Sequence, residues 1–145
     1  MLIDRFESES EEATFDFAKA LAAKSHKGDV YALIGDLGVG KTAFTKGFAA
    51  GLDIKEPIVS PTFTFVQEYL DGKMPLYHFD VYRIGDISEM DEIGYEDYFY
   101  GDGISVMEWA DLVEELLPEG TIKVKIEKDL SKGVDYRLIS LEDNR

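Results

Sequence analysis

Residues 35–42 read GDLGVGKT, a G-x-x-x-x-G-K-T pattern in which every residue type has a chemical use. Glycines at Gly35, Gly38 and Gly40 allow successive backbone N–H groups to turn inward on an anion without interference from Cβ. Asp36, Leu37 and Val39 contribute their main chain to the same cradle. Lys41 is expected to bond the β- and γ-phosphates of a nucleotide, and Thr42 to offer its hydroxyl to Mg²⁺. The bland alternative is a glycine-rich turn followed by a surface lysine. Flanking residues argue against it. VYALI (30–34) before the pattern reads as a buried strand, and TAFTKGFAAGL after it reads as a helix whose N-terminus favours negative charge. The stretch is a P-loop.

Phosphate binding alone does not hydrolyse anything, so acids and hydroxyls must supply the metal and water side. LYHFD (76–80) is an apolar strand ending in Asp80, the placement of a Walker-B acid; a strand-end turn residue is the alternative. His78 within it is either a buried, hydrogen-bonded histidine or a catalytic base. GISVMEW (103–109) is a second such strand, ending in Glu108 and the sole tryptophan, Trp109. Glu108 is placed to bind Mg²⁺ or orient water, or else is a rim glutamate beside a core tryptophan. In SPTFTF (60–65), Thr62 is a candidate to reach the γ-phosphate or its metal, whereas Thr64 alternates with Phe63 and Phe65 like a strand residue.

These residues need a scaffold. Leu2 to Phe6 suggests a strand, and Ser8 with Glu11 reads as a capping box opening a helix that carries Phe17, Ala18, Leu21 and Ala22 on one face. Asp71-Gly72 marks a hairpin, which places an antiparallel strand beside an otherwise parallel core. Ser88 with Asp91 predicts a cap for a helix through the acidic segment, and ADLVEELL (110–117) a short helix stopped by Pro118. TIKVKIE (121–127) alternates and is answered by Val134 to Leu141 as a second hairpin. Lys132, in the loop between them, is either simply solvated or reaches the nucleotide. Together these predict an α/β, three-layer P-loop NTPase fold with a mixed, parallel plus antiparallel, central sheet in one domain spanning 1–145.

Composition narrows the function. There is no cysteine, hence no disulfide, thiolate metal site or thiol nucleophile. Neither a signal peptide nor a membrane-spanning run is apparent, so a cytoplasmic protein is expected, with no membrane partner. Net charge is −15, and between Ile84 and Glu119 stand twelve acidic residues and no Lys, Arg or His. Such a surface repels nucleic-acid phosphates and is either a solvated face or a dock for a basic protein. Arginine occurs only at 5, 83, 137 and 145, too few for the multiple cations with which a phosphotransferase clamps two phosphorylated substrates. Slow hydrolysis by the isolated chain, raised by a partner, is expected. Guanine is disfavoured because no N-K-x-D motif is present.

GDLGVGKT, SPTFTF, YHFDVYRI and MEW, in this order and at these spacings, resemble the TsaE (YjeE) family of bacterial ATPases. The likeness spans nearly the whole chain, including EIGYEDYF; Phe63 stands where tyrosine is more usual, and Ala43 where a hydroxyl residue is common. The resemblance implies ATP and Mg²⁺ as cofactors. It implies that Lys41 and the 35–42 backbone bind phosphates, that Thr42 and Glu108 hold Mg²⁺, and that Asp80 is the Walker-B acid. Thr62 would sit in a switch-like loop, Trp109 at the site and Ser10 beside adenine. It further implies the partners TsaB and TsaD, in whose modification of tRNA with threonylcarbamoyladenosine this ATPase would reset the complex, meeting tRNA only through them. A small-molecule kinase and a nucleotide-regulated module without turnover are the competing readings.

Overall fold

The computed structural model describes residues 2–35, 40–59, 61 and 64–143. Asp36, Leu37, Gly38, Val39 and Thr62, all candidate site residues, lie outside the described residues, as do Ser60 and Phe63.

Strand β1 (Leu2–Ser8) leads into helix α1 (Glu11–Ala23), then β2 (Val30–Ile34) and α2 (Lys41–Gly51). A hairpin of β3 (Val66–Tyr69) and β4 (Leu76–Asp80) follows, then the short helices α3 (Ser88–Glu92) and α4 (Tyr95–Phe99), and β5 (Ile104–Glu108). The chain closes with β6 (Ile122–Lys128) and β7 (Arg137–Asp143). The seven strands form one sheet in the order β1-β7-β6-β2-β5-β4-β3. Strands β6, β2, β5 and β4 are parallel, and three pairings at the two edges, β3 with β4, β6 with β7 and β7 with β1, are antiparallel. The mixed α/β sheet expected from the two hairpins is what forms.

Two apolar clusters cover the sheet. On one face α1 and α2 deliver Ala18, Ala22, Phe44 and Phe48 onto Tyr31, Leu33, Val106, Val124 and Ile139. On the other, Met90, Phe99 and Val113 close over Val30, Ala32, Phe79 and Met107. Residues alternate between these clusters along β2 and β5, as the period of two in a strand requires. Both strands are therefore largely apolar, the signature of a sheet covered on both faces. No helix among the described residues is long and apolar enough to cross a membrane.

Three local expectations need correction. The cap of α1 is Ser10, whose side chain accepts from the Ala13 N–H, and not Ser8. Ser8 ends β1 opposite Arg137; its hydroxyl donates to the Ser10 carbonyl and shares a 2.7 Å hydrogen bond with Thr14. Glu11 and Glu12 then occupy the first turn, where the helix dipole favours them. In the acidic segment the Ser88 N–H is taken by Asp86 Oδ1 at 3.0 Å, and Gly94, at φ 72°, splits the expected helix into two single turns. Thr64 and Phe65 are not strand residues: Thr64 lies in a turn, Phe65 has φ 64°, and β3 starts at Val66. Ala110–Leu116 forms tight 3₁₀ turns ahead of Pro118.

Candidate functional site

Register decides which side chains meet. Glu108 pairs with Leu33 across β2 and β5 and with Asp80 across β5 and β4, so both carboxylates stand where the P-loop strand ends. The parallel strands leave their carboxyl ends on one edge, the usual place for a ligand in such a sheet. There Gly40, Lys41, Thr42, Asp80, Glu108 and Trp109 line one cleft of about 710 Å³, together with Glu11, Glu12 and Phe15 from α1.

Lys41 is buried, an unusual state for an ammonium group. Its Nζ donates to the Gly35 carbonyl at 2.8 Å and lies 3.4 Å from the centroid of the Trp109 ring. The indole face is an attractive counter-surface for a cation. Trp109 holds this position at φ 62°, a left-handed conformation that costs a bulky residue energy, and its ring packs on Tyr82 at 4.7 Å. Gly40, at φ 104°, caps α2 without a side chain and leaves the helix N-terminus open to the cleft. Thr42 is exposed in the first turn.

The two acids are held differently. Asp80 Oδ1 accepts from the Tyr82 N–H at 3.1 Å, while the Asp80 N–H donates to the Phe65 carbonyl at 2.9 Å. Glu108 is buried, with Oε2 2.6 Å from Nε2 of the equally buried His78. Of the two readings of His78, burial with a hydrogen bond is the one found.

This donor set suits a hard divalent cation beside phosphates. Thr42 offers a hydroxyl, and Asp80 and Glu108 carboxylates, all oxygen ligands. Among the described residues no group of three or more His, Asp or Glu side chains forms a metal cage. Mg²⁺ takes one or two carboxylates and completes its shell with water and substrate phosphates.

Two sequence candidates lie away from the centre. Ser10, capping α1, flanks a small recess with Gly40, Ala43, Asp135 and Arg137. Lys132 does not line the cleft; its Nζ is 3.4 Å from Glu7 Oε1 and 5.2 Å from the Tyr136 ring. That surface cluster holds the Glu7 carboxyl below its ordinary range, through the Tyr136 hydroxyl first and Lys132 second. Sequence reasoning missed Lys46, Glu11, Glu12 and Phe15 in the cleft wall. Lys46 had a signal, standing one helical turn after Thr42; the α1 residues had none, because only the crossing of α1 over α2 brings them there.

The profile of the family described as "Threonylcarbamoyl adenosine biosynthesis protein TsaE" matches residues 8–136. The tRNA threonylcarbamoyladenosine biosynthesis protein TsaE of Bacillus subtilis strain 168 is 50% identical over 129 residues, covering 89% of this chain and 78% of the relative. Its namesake from Treponema pallidum strain Nichols is 40% identical over 119 residues, covering 82% and 87%. The crystal structure of Bacillus subtilis YdiB superposes with a TM-score of 0.84 at 40% identity, over all of this chain and 88% of that one. Matched by the family profile over residues 8–136 and by relatives over most of its length, this chain belongs to the TsaE family.

Proposed function

We propose that this chain is a Mg²⁺-dependent ATPase that serves the biosynthesis of tRNA threonylcarbamoyladenosine, working on a TsaB–TsaD assembly and meeting tRNA only through it. The observation that carries the reading is the convergence of Lys41, Thr42, Asp80 and Glu108 on one cleft at the carboxyl edge of the parallel strands. Family membership supplies the pathway.

Each group has a task that its surroundings suit. Lys41 exchanges the Gly35 carbonyl and the Trp109 face for the β- and γ-phosphates, with which its ammonium makes charge-assisted hydrogen bonds. The Thr42 hydroxyl and the Glu108 and Asp80 carboxylates would hold Mg²⁺, which when bound would neutralise charge on the phosphoryl oxygens. The α2 N-terminus adds its dipole. No arginine is among the described residues lining the cleft. A cation delivered by a partner would stabilise the transferring charge, an effect worth orders of magnitude in rate. A net charge of −15 accords with a subunit that leaves tRNA contact to others.

Single-turnover hydrolysis of ATP with and without TsaB–TsaD tests this reading. Acceleration by the partners is expected; unchanged rate and unchanged nucleotide affinity would overturn it. Lys41→Ala is expected to weaken triphosphate binding by roughly 10–100-fold, the equivalent of one charged hydrogen bond, as read by calorimetric titration.

A further inference from the structure

His78 is the polar exception in an apolar strand. It faces the α1–α2 side of the sheet among Leu76, Ile104 and Val106, is 2% exposed, and stands opposite Val106 of β5. A buried imidazole needs its hydrogen-bonding groups satisfied, yet among the described residues only one of the two is: Nε2 meets Glu108 Oε2 at 2.6 Å, and Nδ1 has no partner there.

This asymmetry locates the proton. With hydrogen on Nε2, the ring donates to the carboxylate and leaves a bare lone pair on Nδ1. With hydrogen on Nδ1 alone, two lone pairs would face each other at 2.6 Å and an N–H would be buried without an acceptor. The arrangement therefore has a direction, from β4 to β5, and it consumes one specific oxygen of Glu108. Its other oxygen remains for the cleft that Glu108 lines.

Building on the assignment of Glu108 to the metal, we infer that His78 is a positioning residue. Its Nε2–H holds Glu108 Oε2 and thereby fixes the carboxylate in the rotation that presents Oε1 to the cation. A glutamate has three side-chain torsions, the last of them broad, so the tether replaces freedom with a set orientation. It also binds the middle of β4 to the end of β5. The spacing of Asp80, two residues further along β4, relative to Glu108 thus rests on a side-chain bond as well as on the strand register.

Two amide substitutions separate positioning from mere filling of space. The amide nitrogen of His78→Gln reaches the place of Nε2, whereas that of His78→Asn stops at the place of Nδ1. Mn²⁺ affinity in the presence of a non-hydrolysable ATP analogue, read by the electron spin resonance of free Mn²⁺, is expected to fall roughly 10–100-fold in His78→Asn, the usual consequence of losing a ligand's supporting partner. His78→Gln should stay near the parent. Nitrogen-15 resonances of His78 in the ligand-free parent should show a protonated Nε2 and an unprotonated Nδ1. Equal affinities in the two amide variants, or a protonated Nδ1, would overturn the proposal. Glu108→Gln is the benchmark: if it weakens Mn²⁺ binding while His78→Asn does not, positioning fails and the metal assignment stands. If Glu108→Gln leaves Mn²⁺ binding unchanged, the metal assignment falls and the role of His78 falls with it.

Discussion

On the face carrying α1 and α2, helices of 13 and 11 residues meet backbone to backbone, whereas on the opposite face α3 and α4 have five residues each, α3 buried through Met90 and α4 held by rings. The first contact runs through Gly47 and Gly51, one turn apart on α2: a Cβ at Gly47 would lie 2.2 Å from the Phe15 carbonyl oxygen, and one at Gly51 2.4 Å from that of Lys19. On the second face Phe79 packs on Tyr98 and Phe99, each at 5.5 Å between centroids, and Tyr95 packs on Phe99. One face has no room for an added atom, and the other depends on large groups that a single-turn helix cannot replace. The difference bears on function, because α1 contributes Glu11, Glu12 and Phe15 to the cleft wall only as far as the glycine contact lets it approach.

This contrast can be broken from either side. Phe79→Ala, which removes the ring shared by α4 and the sheet, should cost about 3–5 kcal/mol, measured by urea unfolding. Retention of stability within about 1.5 kcal/mol, the tolerance typical of a volume-conserving swap, would mean that the short-helix face collapses to fill the gap. Next in size is a pH effect on the α1–α2 face. Burial is the main cause that pushes the Tyr31 hydroxyl from 10.0 up to about 12, only partly offset by its hydrogen bond with Ser25. Because the folded protein keeps this proton longer than the unfolded chain, its contribution is full below pH 10 and is lost as pH rises through about 12. The loss should reach roughly 2–3 kcal/mol. Tyr31→Phe should flatten that part of the alkaline unfolding profile, and a slope unchanged by the substitution would remove Tyr31 as its source.

Gly47→Ala sharpens the comparison because two effects oppose. Alanine gains up to about 1 kcal/mol of helix propensity, whereas the clash with Phe15 should cost about 1–3 kcal/mol and displace α1. A raised melting temperature would show that the helices part without penalty. The smallest effect expected is that of Ser10→Ala, about 1 kcal/mol from the lost cap of α1. The corresponding change Ser8→Ala removes a buried hydroxyl pair with Thr14 and not a cap, so only Ser10→Ala should increase hydrogen exchange confined to the first turn of α1.

Much of this arrangement is legible along the chain. VYALI and LYHFD coincide with β2 and β4, and the P-loop lysine opens α2, because buried strands and glycine turns carry strong local signals. Boundaries fared less well where two local solutions compete. In the run Ser8-Glu9-Ser10-Glu11, the serine with the capping-box spacing is drawn into β1 by pairing with Arg137, and the next one caps. At Thr64 and Phe65, alternation suggests a strand, but the Phe65 carbonyl accepts from Asp80 and its left-handed backbone ends the pairing.

Residue order alone determined the chemistry on offer: a G-x-x-x-x-G-K-T pattern ending in Lys41 and Thr42, acids at the ends of apolar strands, and a net charge of −15. Periodicity and glycine placement act over a few residues, so they can be read without a fold. Tertiary structure alone decided the partnerships. Residues 30 positions apart, His78 and Glu108, meet because β5 lies between β4 and β2. Lys41 rests on Trp109 because the two strand ends share one edge, and α1 walls the cleft because Gly47 and Gly51 admit it. Strand order and helix approach are set by the packing of the whole core, which no local stretch encodes.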